Sequence, residues 1–142
     1  MLGILENQKG LVMLNSMLMC LALNVYHEAR SDDMLGQYAV AHVVMNRVQH
    51  DRWPDDVCSV IHQGYQKGKH KCQFSWYCDG KSDTPHDPEA WAWAVLIAYD
   101  VLQSRVPDPT YGATHYHATY VKPYWADHYK QTVTLGSHIF YK

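Results

Sequence analysis

The chain has 142 residues, 47% of them hydrophobic and 18% charged, which suits one domain with its own core and leaves no length for a second. A formal net charge of -2 argues against a polyanion such as nucleic acid as the partner. Eleven Tyr and five Trp stand against two Phe, so the aromatic content is weighted towards rings that combine an apolar face with a hydrogen-bonding edge. Sugar rings suit such surfaces, although most of these side chains are expected in the core.

At the N-terminus, "KGLVMLNSMLMCLALNV" places a lysine before an apolar run in the manner of a signal peptide. Asn15 and Ser16 interrupt the run, no small-x-small cleavage site follows, and it is shorter than the ~20 residues of a membrane span. The expectation is a buried helix, no stable membrane insertion, and synthesis in the cytoplasm without a Sec signal. That helix should run from about Gly10 to Ala29, with Leu14, Met17, Leu18, Leu21, Val25 and Glu28 sharing one face.

Ser31, Asp32 and Asp33 provide a cap and an acidic first turn for a second helix, roughly Met34 to Gln49. Its "YAVAHVVMNRV" is apolar nearly all round and should be central. Pro54 is expected at the first position of a short helix, "PDDVCSVIHQ", followed by a long loop, "GYQKGKHKCQFSWYCDGKSDTPH". Asp87 and Pro88 begin a fourth helix whose stripe is Trp91, Val95, Ala98, Tyr99 and Leu102, and "RVPDP" stops it. From there the period changes to two. "ATHYHATYV" reads as a strand, and "QTVTLGSHIFYK" as two short strands about a glycine turn. Helices followed by a small antiparallel sheet make an α+β domain spanning residues 1–142.

The four cysteines do not have the density of a disulfide scaffold, and no Cys-x-x-Cys pair suggests zinc. Cys20 lies in an apolar run and reads as a buried thiol. Cys72 and Cys78 flank "QFSWY" and could clip that loop.

Glu28 carries the first chemical hypothesis. A carboxylate at the C-terminal end of a helix meets the negative end of the helix dipole, and a place on an apolar stripe implies desolvation. Both favour the protonated form, as a general acid requires, and Arg30 would oppose them if it turned towards Glu28. In "QFSWY", Gln73 and Ser75 offer hydrogen bonds to hydroxyl or acetamido groups, while Phe74 and Trp76 offer stacking faces. The competing view is a loop pinned to the core by its aromatics. In "THYHATY" strand alternation puts His115 and His117 on one face and Tyr116 on the other.

Four blocks in order, "YHEARSDDMLGQYAVAHVVMNRV", "RWPDDVCSVIHQ", "CQFSW" with "CDG", and "GATHYHATYVKPYW" with "LGSHIFYK", resemble the SleB/CwlJ-type cell-wall hydrolase family over Leu18 to Lys142. The resemblance implies a lysozyme-like, lytic-transglycosylase-related fold, mostly helical with a small antiparallel sheet. It implies an enzyme that cleaves peptidoglycan glycan strands between N-acetylmuramic acid and N-acetylglucosamine, with no cofactor and no metal. The catalytic glutamate of the family falls on Glu28 by its "EAR" step. By family position Tyr116, then His117, joins Gln73, Ser75 and Trp76 as substrate-binding candidates. Family members more often carry an "EARGE"-like sequence where this chain has Ser31-Asp32-Asp33, a departure that bears on local loop shape.

Glycoside hydrolysis ordinarily uses two carboxyl groups. The candidates for a second, Asp32, Asp33, Asp79, Asp83 and Asp127, all read as caps or loop residues. A lytic transglycosylase needs only one, which protonates the glycosidic oxygen and then accepts the proton of the sugar's own primary hydroxyl as it closes an anhydro ring. Plain hydrolysis with an enzyme-held water is the alternative. Two further alternatives are a zinc-dependent amidase or peptidase built on His115-x-His117, which lacks a third ligand at recognisable spacing, and a non-catalytic glycan-binding module. A bare catalytic domain suits a phage lysis enzyme or a virion component that acts on the wall after release.

Overall fold

The structure, a computed structural model, describes residues 2–142, with side chains for residue 8 and residues 14–142. Helix α1 (Leu2–Ala29) is the element on which the others pack: α2 (Met34–Val48), α3 (Val57–Ile61) and α4 (Pro88–Leu102) all lie against it. It extends further towards the N-terminus than the expected start at Gly10, into residues whose side chains lie outside those described. Leu21, Ala22 and Val25 are fully buried and join Val44, Val60, Ile61, Ile97 and Ala98 in the main core.

The boundary between α1 and α2 follows from capping chemistry. Asp33 is in extended conformation, and its carboxylate accepts the Gly36 amide at 2.9 Å, which satisfies a first-turn donor that has no partner within the helix. Asp87 starts α4 in the same way, accepting the amides of Glu89 and Ala90 at 3.1 Å. The expectation for α3 is corrected: Asp56, not Pro54, sets its start, by accepting the Ser59 amide at 2.9 Å. In α4 the buried positions are Ala94, Ile97, Ala98 and Val101, rotated from the expected stripe, and Trp91, Val95, Tyr99 and Leu102 flank them half-buried. Ala94 and Ala98 place small residues beside Ile97 and Val101 on the buried face of α4, which packs on α1 and α2. The long connection after α3 holds two single turns of 3-10 helix, Tyr65–Lys67 and Ser75–Cys78.

Strands β1 (His115–Ala118), β2 (Gln131–Leu135) and β3 (His138–Tyr141) form an antiparallel sheet in the order β1-β3-β2, with an irregularity between Gln131 and Val133. The glycine turn is Gly136, whose φ of +56° is a left-handed conformation that tightens the β2-β3 hairpin. Cross-strand partners share a face, so Tyr116 lies with Phe140 and Val133, packed with Ala39 and Val43 of α2. His115, His117 and Tyr141 project from the other face into a cluster with Trp125 and Tyr129. These helices and this small antiparallel sheet make the expected α+β architecture. No described helix is long and apolar enough to cross a membrane.

All four cysteines are paired. Cys72–Cys78 clips the "QFSWY" loop, and Cys20–Cys58 ties α1 to α3 across a sequence separation of 38. Cys20 is therefore not a buried thiol: it is half-buried on the side of α1 that faces α3, a proximity created by helix packing. Closing a loop of that length restricts the unfolded chain by about 2–4 kcal/mol. Replacing Cys20 and Cys58 together by serine should lower the stability measured by urea unfolding by that amount. Opening the six-residue Cys72–Cys78 loop in the same way should cost less.

Candidate active site

Three consecutive residues at the end of α1, Tyr26, His27 and Glu28, form one wall of a cleft of about 430 Å3. Ser75, Trp76 and Asp79 from the clipped loop and Lys81, Ser82, Asp83 and Thr84 from the following segment form the other. One turn before His27, Asn24 is fully buried, and its Oδ1 accepts the Trp76 indole N–H at 2.8 Å. The Trp76 ring stacks on His27 with centroids 4.6 Å apart, and His27 Nε2 donates to the Asp83 carbonyl at 2.9 Å. A single helical turn thus fixes both segments that face it. The "QFSWY" aromatics serve the core and the cleft together, since Phe74 and Trp76 are buried and Trp76 still contributes to the wall.

Glu28 is held from two sides. The Tyr116 hydroxyl on β1 donates to Glu28 Oε1 at 3.1 Å, and the Arg47 charge on α2 acts on the carboxylate. Burial pushes the Glu28 carboxyl up from 4.5 to about 7, and the Tyr116 hydrogen bond and Arg47 counter only part of that rise. The cation that opposes the shift is therefore Arg47. Arg30 lines the same cleft with its guanidinium 4.9 Å over the Tyr26 ring and is not among the charges that shift Glu28. Burial and the neighbouring Glu28 raise the Tyr116 phenol well above its usual range, so its hydroxyl remains a donor.

Arg47 itself is buried, with Nε donating to the Thr114 carbonyl at 2.7 Å and the guanidinium set over the Trp53 and Phe74 rings. Its Nη1 is buried with no hydrogen-bond partner. A charge in that position costs solvation, and an ionised Glu28 offsets part of the cost. The signal for Arg47 in the sequence is a lone charge within an apolar helix. Asn24 and His27 carried no comparable signal.

The remaining candidates fall as follows. Ser75 is exposed on the cleft wall; Gln73 is exposed outside it, with its backbone N–H donating to the Gln63 backbone carbonyl at 2.9 Å. Tyr116 meets the Glu28 carboxyl from the core side and is not part of the cleft wall. His117 lies on the opposite face of the sheet, where Nδ1 donates to the Ala118 carbonyl and Nε2 accepts the Tyr141 hydroxyl, each at 2.7 Å. His115 packs on Tyr129 with centroids 4.1 Å apart. Among the described residues no three metal-donor side chains converge. Of the other carboxylates, Asp79 and Asp83 line the cleft, Asp33 caps α2, and Asp127 belongs to the opposite side of the sheet. Asp32 accepts the Ser137 hydroxyl at 2.7 Å and lies 2.8 Å from His138 Nδ1, binding the start of α2 to the β2-β3 turn.

The raised Glu28 value has a consequence for stability. Below pH 4.5 the carboxyl is protonated folded and unfolded; between 4.5 and about 7 only the unfolded chain releases the proton, so stability falls as pH rises through this window. Glu28→Gln removes that cost and keeps an acceptor for Tyr116. The variant should be more stable than the parent by up to about 3 kcal/mol above pH 7, with the gain vanishing below pH 4.5, as read from urea unfolding at the two pH values.

Residues 31–141 match the family model for cell wall hydrolases. The spore cortex-lytic enzyme of Halalkalibacterium halodurans is 34% identical over 121 residues, covering 84% of this chain and 33% of the relative, so the chain spans about a third of that protein's length. Two solved structures share the fold. The catalytic domain of the germination-specific lytic transglycosylase SleB from Bacillus anthracis superposes with a TM-score of 0.68 at 31% identity, covering 89% of this chain and 93% of that one. The catalytic domain of the Bacillus cereus SleB protein has a TM-score of 0.68 at 30% identity, covering 90% and 91%. With most of its length matched by the family model and the fold shared with two of these catalytic domains, the chain belongs to the cell wall hydrolase family.

Proposed function

We propose that the protein is a peptidoglycan lytic transglycosylase that cuts the glycan strand between N-acetylmuramic acid and N-acetylglucosamine, with Glu28 as acid and then base. The observation that carries this reading is a carboxyl group pushed up to about 7 by burial at the edge of a cleft, with a tyrosine hydroxyl fixed on it. Glu28 lies three residues before the part of the chain matched by the family model, so its role rests on this geometry.

In the first step protonated Glu28 gives its proton to the glycosidic oxygen, and the bond from that oxygen to the muramic C1 breaks. Arg47 and the Tyr116 hydroxyl stabilise the carboxylate that results, so the groups that limit its pKa rise are those that receive the charge when it forms. In the second step the C6 hydroxyl of the same sugar bonds to C1 and its proton passes to Glu28, which restores the acid and leaves a 1,6-anhydro end. No second carboxylate and no external water is consumed. Asp79 and Asp83 share the cleft, but Asp79 Oδ1 accepts the Lys81 amide at 2.8 Å and serves its own loop. Trp76, set by Asn24 and His27, offers an edge for a sugar, and Ser75 a hydroxyl. Both disulfides suit a place of action at the wall, outside the reducing cytoplasm.

Purified peptidoglycan tests the assignment. Glu28→Gln should lower release of soluble muropeptides about 10²–10⁴-fold, and mass spectrometry of the parent digest should find anhydro ends. Reducing ends would instead establish hydrolysis, and undiminished release by the variant would remove Glu28 from the mechanism. A second variant addresses the pKa. Because the Tyr116 hydrogen bond favours the charged form of Glu28, Tyr116→Phe should raise the Glu28 pKa further and move the alkaline limb of the kcat/KM profile from about 7 to higher pH.

A further inference from the structure

Lys81 belongs to two concavities. One is the Glu28 cleft; the other, about 610 Å3, lies across the Asp79–Lys81 segment and is walled by Tyr65, Tyr77, Lys69 and Lys81. No carboxylate lines this second well, and among the described residues neither lysine has a carboxylate within ion-pair distance. The chain carries net negative charge, yet residues 65–81 hold Lys67, Lys69, Lys71 and Lys81 against one acid, Asp79. That acid lines the Glu28 cleft, where its carboxylate accepts the Lys81 amide, so its charge is not on the wall of the well.

The rim of the well is exposed at Tyr65, Gln66, Lys69 and Lys81, and its base is cross-linked. Cys72–Cys78 and the His70 amide, donating to the Cys78 carbonyl at 2.9 Å, fix its floor. Tyr77 stacks on His62 with centroids 3.9 Å apart and lies 5.4 Å from the Tyr65 ring. Gly80 has a φ of +81°, and a Cβ there would meet Lys69 Cε at 2.7 Å, so the exposed Lys69 stem lies across the glycine, beside the segment that separates the two concavities. An anion beside this segment would meet two cations whose attraction no carboxylate of the well cancels.

We propose that this second well is a subsite for the stem peptide of the glycan strand, with Lys69 and Lys81 taking its carboxylates. The inference rests on the proposed glycan substrate. The peptide branches from the lactyl group of muramic acid, the sugar whose C1 bond is cut, so it leaves the strand within one sugar of Glu28. It carries free carboxylates along its length and at its end. A cationic, aromatic-walled well one loop away from the cleft matches that branch in place and in charge.

The test uses two preparations of glycan strands, both free of wall phosphate polymers, one bearing tetrapeptides and one stripped of them by an amidase. Lys69→Gln, which removes the charge, should raise KM for the peptide-bearing strands about two- to fivefold, with Lys69→Glu raising it more, and the difference should shrink at high salt. KM for stripped strands should not change. Equal changes on both strands, or none on either, would overturn the subsite. A soluble disaccharide-tetrapeptide titrated into the Glu28→Gln protein gives a readout independent of cleavage. It should shift the Gly68 and Gly80 amide resonances, more weakly in the added presence of Lys69→Gln. If the parent cleaves neither strand, the proposed function fails, and this titration alone decides the subsite.

Discussion

The structure turns on the desolvation of one carboxyl group. In the proposed role Glu28 needs a core around it to hold a proton near neutral pH, and an opening through which to deliver it. The end of a long central helix meets both needs: the residues before it are locked into packing on three sides, and the next residue, Arg30, is already exposed. Rigid placement by the core costs the carboxyl its solvation, and that cost is the source of its acidity at the right pH. Stability given up at the site by burying an ionisable group is the ordinary counterpart of function.

The other elements serve this one group. Helix α2 brings the Arg47 charge and β1 the Tyr116 hydroxyl, so elements distant in sequence supply the two groups that favour the ionised form of this carboxyl. Tyr116 is itself held by Phe140 and by the edge of His138, 5.2 Å away, and His138 faces Asp32 at the start of α2. The sheet and the helical layer are therefore joined just beside the acid. On the opposite wall Asn24 and His27 hold Trp76, so one turn of α1 positions the acid and the loop across from it.

Much of this was legible in the chain. The cap at Asp33, the Asp87-Pro88 start of α4, the glycine hairpin and the opposed faces of His115 and Tyr116 all depend on neighbours in sequence, and the structure has each of them. Expectations failed where packing chose among local options. The face of α4 was decided by its packing on α1 and α2, and the partner of Cys20 by the meeting of α1 and α3. Asp56 displaced Pro54 as the start of α3 because a carboxylate that accepts an amide outweighs a favourable φ.

The sequence by itself determined the order of the main helices and strands, that a Glu-Ala-Arg step ends the first helix, and that this glutamate adjoins an apolar stripe. These features follow from periodicity and capping, which act over a few residues. Only the tertiary structure decided that Arg47 rather than Arg30 faces Glu28, that Tyr116 reaches the carboxyl from the core, and that His117 points to the far side of the sheet. The reason is physical: a pKa is set by the solvent excluded and the charges gathered from every side, and those come from segments that meet only when the chain is folded.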